Sequence, residues 1–367
     1  MTVTNPFKFG SVVDEPYFTN RINELQQIKK LLESQNHLIL ISPRRYGKTS
    51  LMLKVIKTLE RPYIFLDLQL VTDVTDFAAQ MLKRIYRIYP FERLKQLLVS
   101  FRIIPTLNIN PLNNEVEIGF QPVSSALPIL EDVFNLIEKL GNNAKRPIVV
   151  LDEFQDINRI GNGLDRQLRA IIQHHKNINY AFLGSMESMM RDIFEKKKSP
   201  FYHFGQLIPL KKIPYDDFYN YLFKGFERSR CNNFDKVSKE ILKTTNSHPY
   251  YTQQLASTIW ENCNENLSAE EHINNAINSL IQIHDMDYER LWQTQNQTDR
   301  KILIALAQFE QNVLTESFNR KYGITATSTV FSSLKRLMKQ GYIIKTNSNY
   351  ELDDPFFAKW IERKRKA

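Results

Sequence analysis

Cysteine is almost absent from this chain: Cys231 and Cys263 are the only two among 367 residues. Two cysteines are too few for a disulfide framework, and the sequence has no CxxC motif or cysteine and histidine cluster with zinc-binding spacing. We therefore expect both residues to be core or otherwise neutral thiols.

Long apolar runs are also missing. No segment approaches the roughly 18 uninterrupted apolar residues of a membrane-spanning helix. The opening residues, MTVTNPFKFG, lack the apolar core of a secretory signal. Hydrophobic residues make up 42% and charged residues 24% of the chain, which is typical of a globular protein large enough for two or three domains. We expect a cytoplasmic protein without a membrane partner.

Acidic residues are fewer than basic ones, and the net charge of +9 is unevenly distributed. Residues 295–367 contain thirteen Lys and Arg against seven Asp and Glu, so a surplus of six positive charges lies in one fifth of the chain. A basic segment favours an anionic partner such as nucleic acid. The alternative is a solvated tail, because Arg363 to Lys366 supply four of these charges.

The most informative segment has the sequence SPRRYGKTS and follows the apolar run Leu38 to Ile41, which we predict to be a buried strand. A helical pattern follows it. In a phosphate-binding loop of this kind, backbone N–H groups converge on the phosphates, the lysine reaches the outer phosphates and the threonine hydroxyl binds Mg²⁺. The predicted nucleotide-binding residues are Ser42, Pro43, Arg44, Arg45, Tyr46, Gly47, Lys48, Thr49 and Ser50.

Ser42 departs from the pattern GxxxxGK[S/T], which has glycine at this position. That glycine serves the geometry of the loop and not its chemistry, so serine is tolerated there at a negative φ. Pro43 favours such a conformation, because the residue before a proline is pushed toward extended backbone. The alternative reading, a chance basic turn, is disfavoured by a second motif.

The second motif is the apolar run Ile148 to Leu151, which ends in Asp152 and Glu153. We predict that Asp152 binds Mg²⁺ and that Glu153 polarises the water that attacks the γ-phosphate. Ligands of open α/β sheets bind at the carboxyl ends of the strands, so both motifs are expected in one crevice. The alternative is a strand that merely ends in a solvated acidic turn.

The surrounding pattern alternates strands and helices and predicts a parallel sheet. Ser185, at the exit of a strand beside Asp152, is a candidate sensor of the γ-phosphate, although Gly-Ser also ends many strands as a simple turn. Strands are further expected at 62–69, 179–185 and 204–210, helices at 76–101, 126–140 and 164–175, and a hairpin insertion at 102–122 whose turn is Pro111 to Asn114.

The last part of the chain predicts two further modules. Residues 215–289 have a helical pattern throughout, in which Pro249 either contacts a nucleotide base or simply begins a helix. From Thr298, three helices and a hairpin predict a winged helix, whose third helix enters the DNA major groove in helix-turn-helix readers. Hydroxyls and cations there suit phosphate and base-edge contacts, but a protein partner stays open. The candidates are Thr327, Ser328, Thr329, Ser332, Ser333, Lys335 and Arg336.

The order of these motifs resembles the archaeal-type P-loop ATPases, a branch close to the STAND and Cdc6/Orc-like AAA+ proteins. The resemblance covers nearly the whole chain and is carried by NPFKFG, FTNRINEL, PRRYGKTSL, VVLDEFQ, FLGSMESMM, SHPYYTQQLA and YELDDPFFAKW. It implies that Val13, Phe18 and Arg21 surround the adenine side of the nucleotide and that Pro249 touches the base. It also implies Walker A roles for Lys48 and Thr49, Walker B roles for Asp152 and Glu153, and a sensor role for Ser185.

Two residues depart from the family pattern. Ile22 stands where the N-terminal motif usually has Glu, and Gln206 stands where similar sequences tend to carry Arg. An arginine finger supplies a large share of the rate in related enzymes. Hydrolysis is therefore expected to be slow, or to use another arginine such as Arg191 or one from a partner.

The sequence thus predicts an α/β protein with a P-loop core of the AAA+ type, an all-α lid and a C-terminal winged helix. The expected divisions are a nucleotide-wrapping segment at 1–26, the core at 27–213, the lid at 214–292 and the winged helix at 295–367. We expect an ATPase that binds ATP or ADP with Mg²⁺, works as a conformational switch and assembles with itself in a nucleotide-dependent way.

Two alternatives remain for the function. One is a non-catalytic, nucleotide-gated adaptor whose winged helix docks a protein. The other is a DNA-binding regulator with a vestigial P-loop, which the intact Lys48, Thr49, Asp152 and Glu153 disfavour. A guanine-specific enzyme is least favoured, because no NKxD element follows the second motif.

Overall fold

A computed structural model describes residues 4–102, 105–109, 116–120, 125–229, 231–310, 312–346 and 349–365. The chain divides into two compact units. One unit, here the sheet unit, comprises Arg21–Ser42 and Lys48–Lys211. The other, here the helical unit, comprises Met1–Asn20, Pro43–Gly47 and Lys212–Ala367.

The sheet unit alternates strands and helices along the chain. Its elements are α1 (Ile22–Glu33), β1 (Leu38–Ile41), α2 (Lys48–Leu59), β2 (Tyr63–Asp67), α3 (Val74–Ile88), α4 (Phe91–Leu98), β3 (Thr106–Ile109), β4 (Val116–Gly119), α5 (Leu127–Leu140), β5 (Ile148–Asp152), α6 (Ile157–Ile160), α7 (Leu164–Ile172), β6 (Asn179–Gly184), α8 (Glu187–Phe194) and β7 (Gln206–Pro209).

The five-stranded sheet has the order β2-β5-β6-β1-β7, and all of its strands are parallel. Strands β1, β5 and β6 are buried along their whole length, as expected for a parallel sheet that is covered by helices on both faces. Because β6 lies between β1 and β5, the residues that follow these three strands meet at one edge of the sheet. The predicted α/β fold class is confirmed.

One detail of the sheet unit differs from the expectations. The helix predicted at 76–101 is divided into α3 and α4, and Pro90 caps the start of α4. Proline has no backbone N–H to continue the helical hydrogen bonding, while its carbonyl still accepts from Arg93 and Leu94. The hairpin insertion is present as the antiparallel pair β3 and β4, and its predicted turn, Pro111 to Asn114, lies outside the described residues.

The helical unit contains the remaining elements. They are α9 (Tyr215–Phe226), α10 (Phe234–Thr245), α11 (Pro249–Glu261), α12 (Ala269–Gln293), α13 (Gln297–Ala307), α14 (Glu316–Tyr322), α15 (Thr327–Gln340), β8 (Ile343–Thr346), β9 (Asn349–Leu352) and α16 (Pro355–Lys364). Three helices followed by the antiparallel pair β8 and β9 form the predicted winged helix.

The N-terminal segment packs on α9 and α11 of the same unit. The Phe7 ring lies 4.7 Å from that of Phe226 and 6.0 Å from that of Trp260. Gly225 makes this packing possible, because a Cβ at that position would lie 2.5 Å from the Phe7 ring. The Tyr221 hydroxyl donates to the carbonyl of Pro6 at 2.9 Å. Phe7 is therefore part of the hydrophobic core of the helical unit.

The alternative of a solvated C-terminal tail is wrong, because the last helix, α16, packs on the rest of the helical unit. In α16, Phe356, Phe357, Trp360 and Ile361 are buried. The cations that follow are paired with α12: Lys364 contacts Asp285, Arg365 contacts Glu289, and Arg363 donates to Asn278. Two of the C-terminal positive charges are thus compensated by acidic residues of α12.

The prediction of neutral thiols is wrong, because Cys231 and Cys263 form a disulfide. Their Cα atoms are 5.3 Å apart, within the usual range for such a bond. His272 lies close to both sulfurs, but oxidised sulfurs lack the thiolate that binds metals. Within the described residues, no helix combines the length and the apolar content needed to cross a membrane.

Candidate nucleotide-binding site

The loop from Ser42 to Gly47 connects β1 to α2, whose first residue is Lys48. The Ser42 N–H donates to the carbonyl of Gly184 in β6 at 3.3 Å, which fixes the start of the loop on the sheet. Gly47 has φ +88°, a conformation that glycine adopts without cost. The loop therefore ends at a helix N-terminus, where backbone N–H groups favour an anion.

Lys48 is 6% exposed and its ammonium group turns back toward the start of the loop. Nζ donates to the Ser42 carbonyl at 3.2 Å and lies 3.4 Å from the Ser42 hydroxyl. The residue that departs from the P-loop pattern thus supplies an additional oxygen to the lysine. Glycine at the same position could offer only its carbonyl.

Thr49 and Asp152 lie together although they belong to different motifs. The Thr49 hydroxyl donates to Asp152 Oδ2 at 3.0 Å, and Asp152 Oδ1 accepts from the Glu153 N–H at 2.9 Å. Burial, followed by the neighbouring charge of Glu153, raises the pKa of Asp152 above its ordinary value, and Lys48 acts in the opposite direction. A buried carboxylate beside a hydroxyl offers hard oxygen ligands of the kind that Mg²⁺ prefers.

Glu153 follows the strand in a left-handed conformation, with φ +51°. Its Oε2 accepts hydrogen bonds from the Ser185 hydroxyl at 2.5 Å, from the Ser185 N–H at 3.3 Å and from Gln155 Nε2 at 2.5 Å. The predicted sensor residue is thus a direct partner of the predicted catalytic residue.

Gln155 is a site residue that sequence reasoning missed. It is 4% exposed, and its Oε1 has no hydrogen-bond partner among the described residues. Gly184 allows it to approach β6, because a Cβ at position 184 would lie 2.6 Å from that oxygen. The signal in the sequence was a polar residue two positions after Glu153, in the short turn Phe154–Asp156.

The residues implied by the resemblance lie in different parts of the structure. Arg21 belongs to the sheet unit, is 4% exposed and pairs with Glu24 at 2.9 Å. Val13 and Phe18 belong to the helical unit, where the Phe18 N–H donates to the Asp14 carbonyl at 3.1 Å. Their contact with adenine stays a prediction.

Pro249 is the first residue of α11, the position where proline best begins a helix. The helix is capped by the side chain of His248, which accepts from the Tyr250 N–H. Asn246, in the preceding turn, donates to Glu351 of β9 at 2.7 Å. Helix initiation thus accounts for Pro249 locally, and its contact with a base stays a prediction.

The structure describes both positions that were considered for an arginine finger, Gln206 and Arg191. Gln206 is the first residue of the edge strand β7. Arg191 lies on α8, where it pairs with Glu187 at 2.9 Å and with Glu195 at 2.8 Å. Arg191 is therefore held by its own helix, and a partner molecule as the source of the arginine stays a prediction.

The candidate DNA-contacting residues on α15 divide into two groups. Thr327 accepts from Asn319 at 2.8 Å, Ser333 is buried, and Arg336 is bound to the buried Asp299 through two contacts of 2.9 and 2.6 Å. The exposed group consists of Ser328, Thr329, Ser332 and Lys335. Phe331, which the sequence reasoning missed, lies on the same face and is 55% exposed.

A loop that leads from a parallel strand into a helix, an acidic pair after a neighbouring strand and a terminal winged helix define the class of P-loop ATPases. The family model for an ATPase domain predominantly from Archaea matches residues 18–255, and a probable winged helix domain matches residues 286–363. The chain belongs to this archaeal ATPase family. The predicted resemblance is therefore confirmed.

Solved structures agree with this assignment. The Walker-type ATPase PABY2304 of Pyrococcus abyssi has a TM-score of 0.69 at 18% identity, over 97% of this chain and 99% of that one. The ORC2 protein of Aeropyrum pernix, in ADPNP–ADP complexes, has a TM-score of 0.55 at 15% identity, and the match covers 97% of this chain and 96% of that one. The ORC1 protein of the same organism, in complex with DNA, has a TM-score of 0.51 at 12% identity, and the match covers 95% of each chain. Such identities show the fold alone. No curated protein sequence matches the chain at a significant level.

Proposed function

We propose that this chain binds ATP with Mg²⁺ at the loop Ser42 to Ser50, hydrolyses it, and uses the nucleotide state to control what the winged helix binds. The observation that carries the proposal is the hydrogen bond of 3.0 Å from Thr49 to Asp152. It joins the two expected Mg²⁺ ligands, although they are 103 residues apart in the sequence.

Lys48 and the N-terminus of α2 supply the positive field for the phosphates. Thr49 and Asp152 are the proposed Mg²⁺ ligands. These two residues suit Mg²⁺, because burial makes the negative charge of Asp152 costly unless a cation lies beside it. Mg²⁺, when bound, supplies further positive charge for the β- and γ-phosphates.

Glu153 is the proposed general base. Its carboxylate would orient the attacking water and accept its proton, while Ser185 and Gln155 hold the carboxylate in place. The left-handed backbone at Glu153 supports the proposal, because such strained positions cluster at functional sites.

The assignment is tested with two variants in the full chain. Lys48→Ala is expected to abolish tight ATP binding in calorimetry, whereas Lys30→Ala, on the exposed side of α1, is expected to leave it unchanged. Glu153→Gln is expected to keep binding and to stop phosphate release. Full ATP affinity in Lys48→Ala would refute the site, and full turnover in Glu153→Gln would remove Glu153 from the mechanism.

A second candidate function is a nucleotide-gated adaptor without turnover. It is favoured by the hydrogen bonds that already occupy Glu153 and by Gln206 at the position considered for the arginine finger. Phosphate release measured with and without duplex DNA separates the two functions. Bound ADP without release in either condition identifies the adaptor.

We propose double-stranded DNA as the partner of the winged helix. The exposed face of α15 offers the hydroxyls of Ser328, Thr329 and Ser332 together with Lys335, which suit phosphate and base-edge contacts. One structural neighbour, the ORC1 protein of Aeropyrum pernix, was solved in complex with DNA. A salt-dependent affinity for duplex DNA supports this partner, and its absence favours a protein.

We further propose that segments 1–26, 27–213, 214–292 and 295–367 act as the wrapping segment, core, lid and winged helix. Cytoplasmic location and nucleotide-dependent self-assembly belong to the same proposal. A native mass measurement with ADP and with a slowly hydrolysed ATP analogue tests the assembly. An unchanged monomer mass in both states contradicts it.

A further inference from the structure

Arg45 lies in the phosphate-binding loop, yet its side chain is engaged by the lid. Residues Pro43–Gly47 belong to the helical unit, whereas the flanking Ser42 and Lys48 belong to the sheet unit. Arg45 Nη1 donates to the Tyr251 hydroxyl at 2.7 Å, and the guanidinium lies 4.6 Å from the centre of the Tyr250 ring. One face of the loop is thus tied to α11.

The contact continues into the winged helix. The Tyr251 ring meets Phe356 edge-on at 5.6 Å. Asp354 caps α16 by accepting from the N–H groups of Phe356 at 2.8 Å and Phe357 at 3.1 Å. Tyr288 of α12 donates to the other oxygen of Asp354 at 3.1 Å. A continuous set of contacts therefore runs from Arg45 to the first turn of α16.

Arg45 and Asp354, at the two ends of this set of contacts, also attract each other electrostatically. Burial by itself would lower the pKa of Arg45, but Tyr251, Tyr250 and Asp354 raise it above its ordinary value. Burial raises the pKa of Asp354, and its hydrogen bonds together with Arg45 act in the opposite direction. Each charge is stabilised by the other in a setting that is otherwise unfavourable to both.

The backbone of Arg45 is also unusual. Its φ of +64° lies in the left-handed region, which costs free energy for a residue other than glycine. The neighbouring Tyr46 is 4% exposed and packs edge-on against His248 at 4.9 Å. These contacts offset the cost of that conformation.

We propose that Arg45 is a positioning residue that fixes the phosphate-binding loop on Tyr251 and Asp354 and so couples nucleotide binding to helix α16 of the winged helix. The inference rests on the proposed nucleotide binding. Phosphate contact orders the backbone of a loop of which Arg45 is part, three residues before Lys48. An ordered loop holds the guanidinium in place, which stabilises Asp354 as the cap of α16.

Hydrogen exchange of the full chain with and without ADP and Mg²⁺ tests the coupling. In the unmodified protein, ADP is expected to slow exchange of the Phe356 and Phe357 amides by about fivefold or more, the lower end of usual coupling between two sites. Arg45→Gln and Tyr251→Phe are expected to lose this protection. The affinity of Tyr251→Phe for ADP is expected to change by less than about threefold, because Tyr251 lies on α11, outside the loop proposed to bind the nucleotide.

Tyr250→Phe is the matched control, because it keeps the ring beside the guanidinium and leaves the hydrogen bond from Arg45 to the Tyr251 hydroxyl in place. It is expected to retain the protection. Protection that persists in both Arg45→Gln and Tyr251→Phe overturns the inference, as does an affinity loss above about tenfold in Arg45→Gln, which would make Arg45 a phosphate ligand. Absence of ADP binding to the unmodified protein instead refutes the proposed function.

Discussion

The hydroxyl of Ser185 donates a hydrogen bond of 2.5 Å to the carboxylate of Glu153. The two residues follow the neighbouring parallel strands β6 and β5, so the sheet itself brings them together. The contact connects a residue at the sensor position with the proposed base. It also helps to hold Glu153 in a left-handed conformation that costs about 1–3 kcal/mol for such residues.

The first prediction concerns this pair. Ser185→Ala removes a hydrogen bond to a charged group, worth about 1.5–3 kcal/mol, and leaves Glu153 with a less defined orientation. We expect kcat for ATP hydrolysis to fall about 10- to 100-fold, with the affinity for ADP unchanged in calorimetry. A rise in kcat would instead show that Ser185 restrains Glu153 from acting.

The second prediction concerns Asp152. Because its pKa is raised in the folded state, the folded protein binds a proton that the unfolded chain has already lost. Stability therefore falls as pH rises from the ordinary aspartate pKa through the raised one. Asp152→Asn removes this cost, so we expect a higher Tm than the unmodified protein at neutral pH without ligand. The difference should shrink as pH falls below about 4.

Asp152→Asn should also remove the response to Mg²⁺ and ATP. A ligand at one hundred times its Kd stabilises by about 2.7 kcal/mol, which is about 3–4 °C for a protein of 367 residues. We expect this rise in the unmodified protein and its loss in the variant. A variant that is less stable without ligand, or that keeps the full Mg²⁺-dependent rise, contradicts the assignment.

The motifs of the site were predictable because each is local. The loop before Lys48 and the acidic pair after β5 are encoded by a short apolar run and the residues that follow it. The partner of Arg45 was not predictable, because Tyr251 is 206 positions away in the sequence and only folding brings the two together. The disulfide is a similar case, since 32 positions separate its cysteines.

Helix α16 shows a signal that was present but not used. Asp354 and Pro355 form a helix start, with an N-cap aspartate followed by proline at the first helical position. Phe356 and Trp360, four positions apart, mark a buried face. The basic residues that follow suggested a tail, although their acidic partners Asp285 and Glu289 lie on α12. Charge counted along the sequence does not show such pairing.

The third prediction concerns the disulfide between Cys231 and Cys263. A cross-link between residues 32 positions apart restricts the unfolded chain and is worth about 3–4 kcal/mol. Replacing both cysteines by serine is therefore expected to lower the Tm measured by calorimetry, and a reductant is expected to lower that of the unmodified protein similarly. Adding the reductant to the double variant is the control and should have no effect. An equal Tm for both proteins under oxidising conditions would show that the cross-link contributes no stability.

The last prediction separates two neighbouring cations of α15. Arg336 is bound to Asp299, which is 2% exposed, whereas Lys335 is exposed. Arg336→Ala leaves a buried carboxylate with Ser333 as its remaining described side-chain partner, so we expect a loss of about 1–3 kcal/mol in unfolding free energy. Lys335→Ala should leave stability unchanged.

If the winged helix binds duplex DNA, Lys335→Ala should weaken binding and reduce the salt dependence by about one phosphate contact. Unchanged DNA affinity in Lys335→Ala, measured across several salt concentrations, would remove this face of α15 from the DNA contact and favour a protein partner.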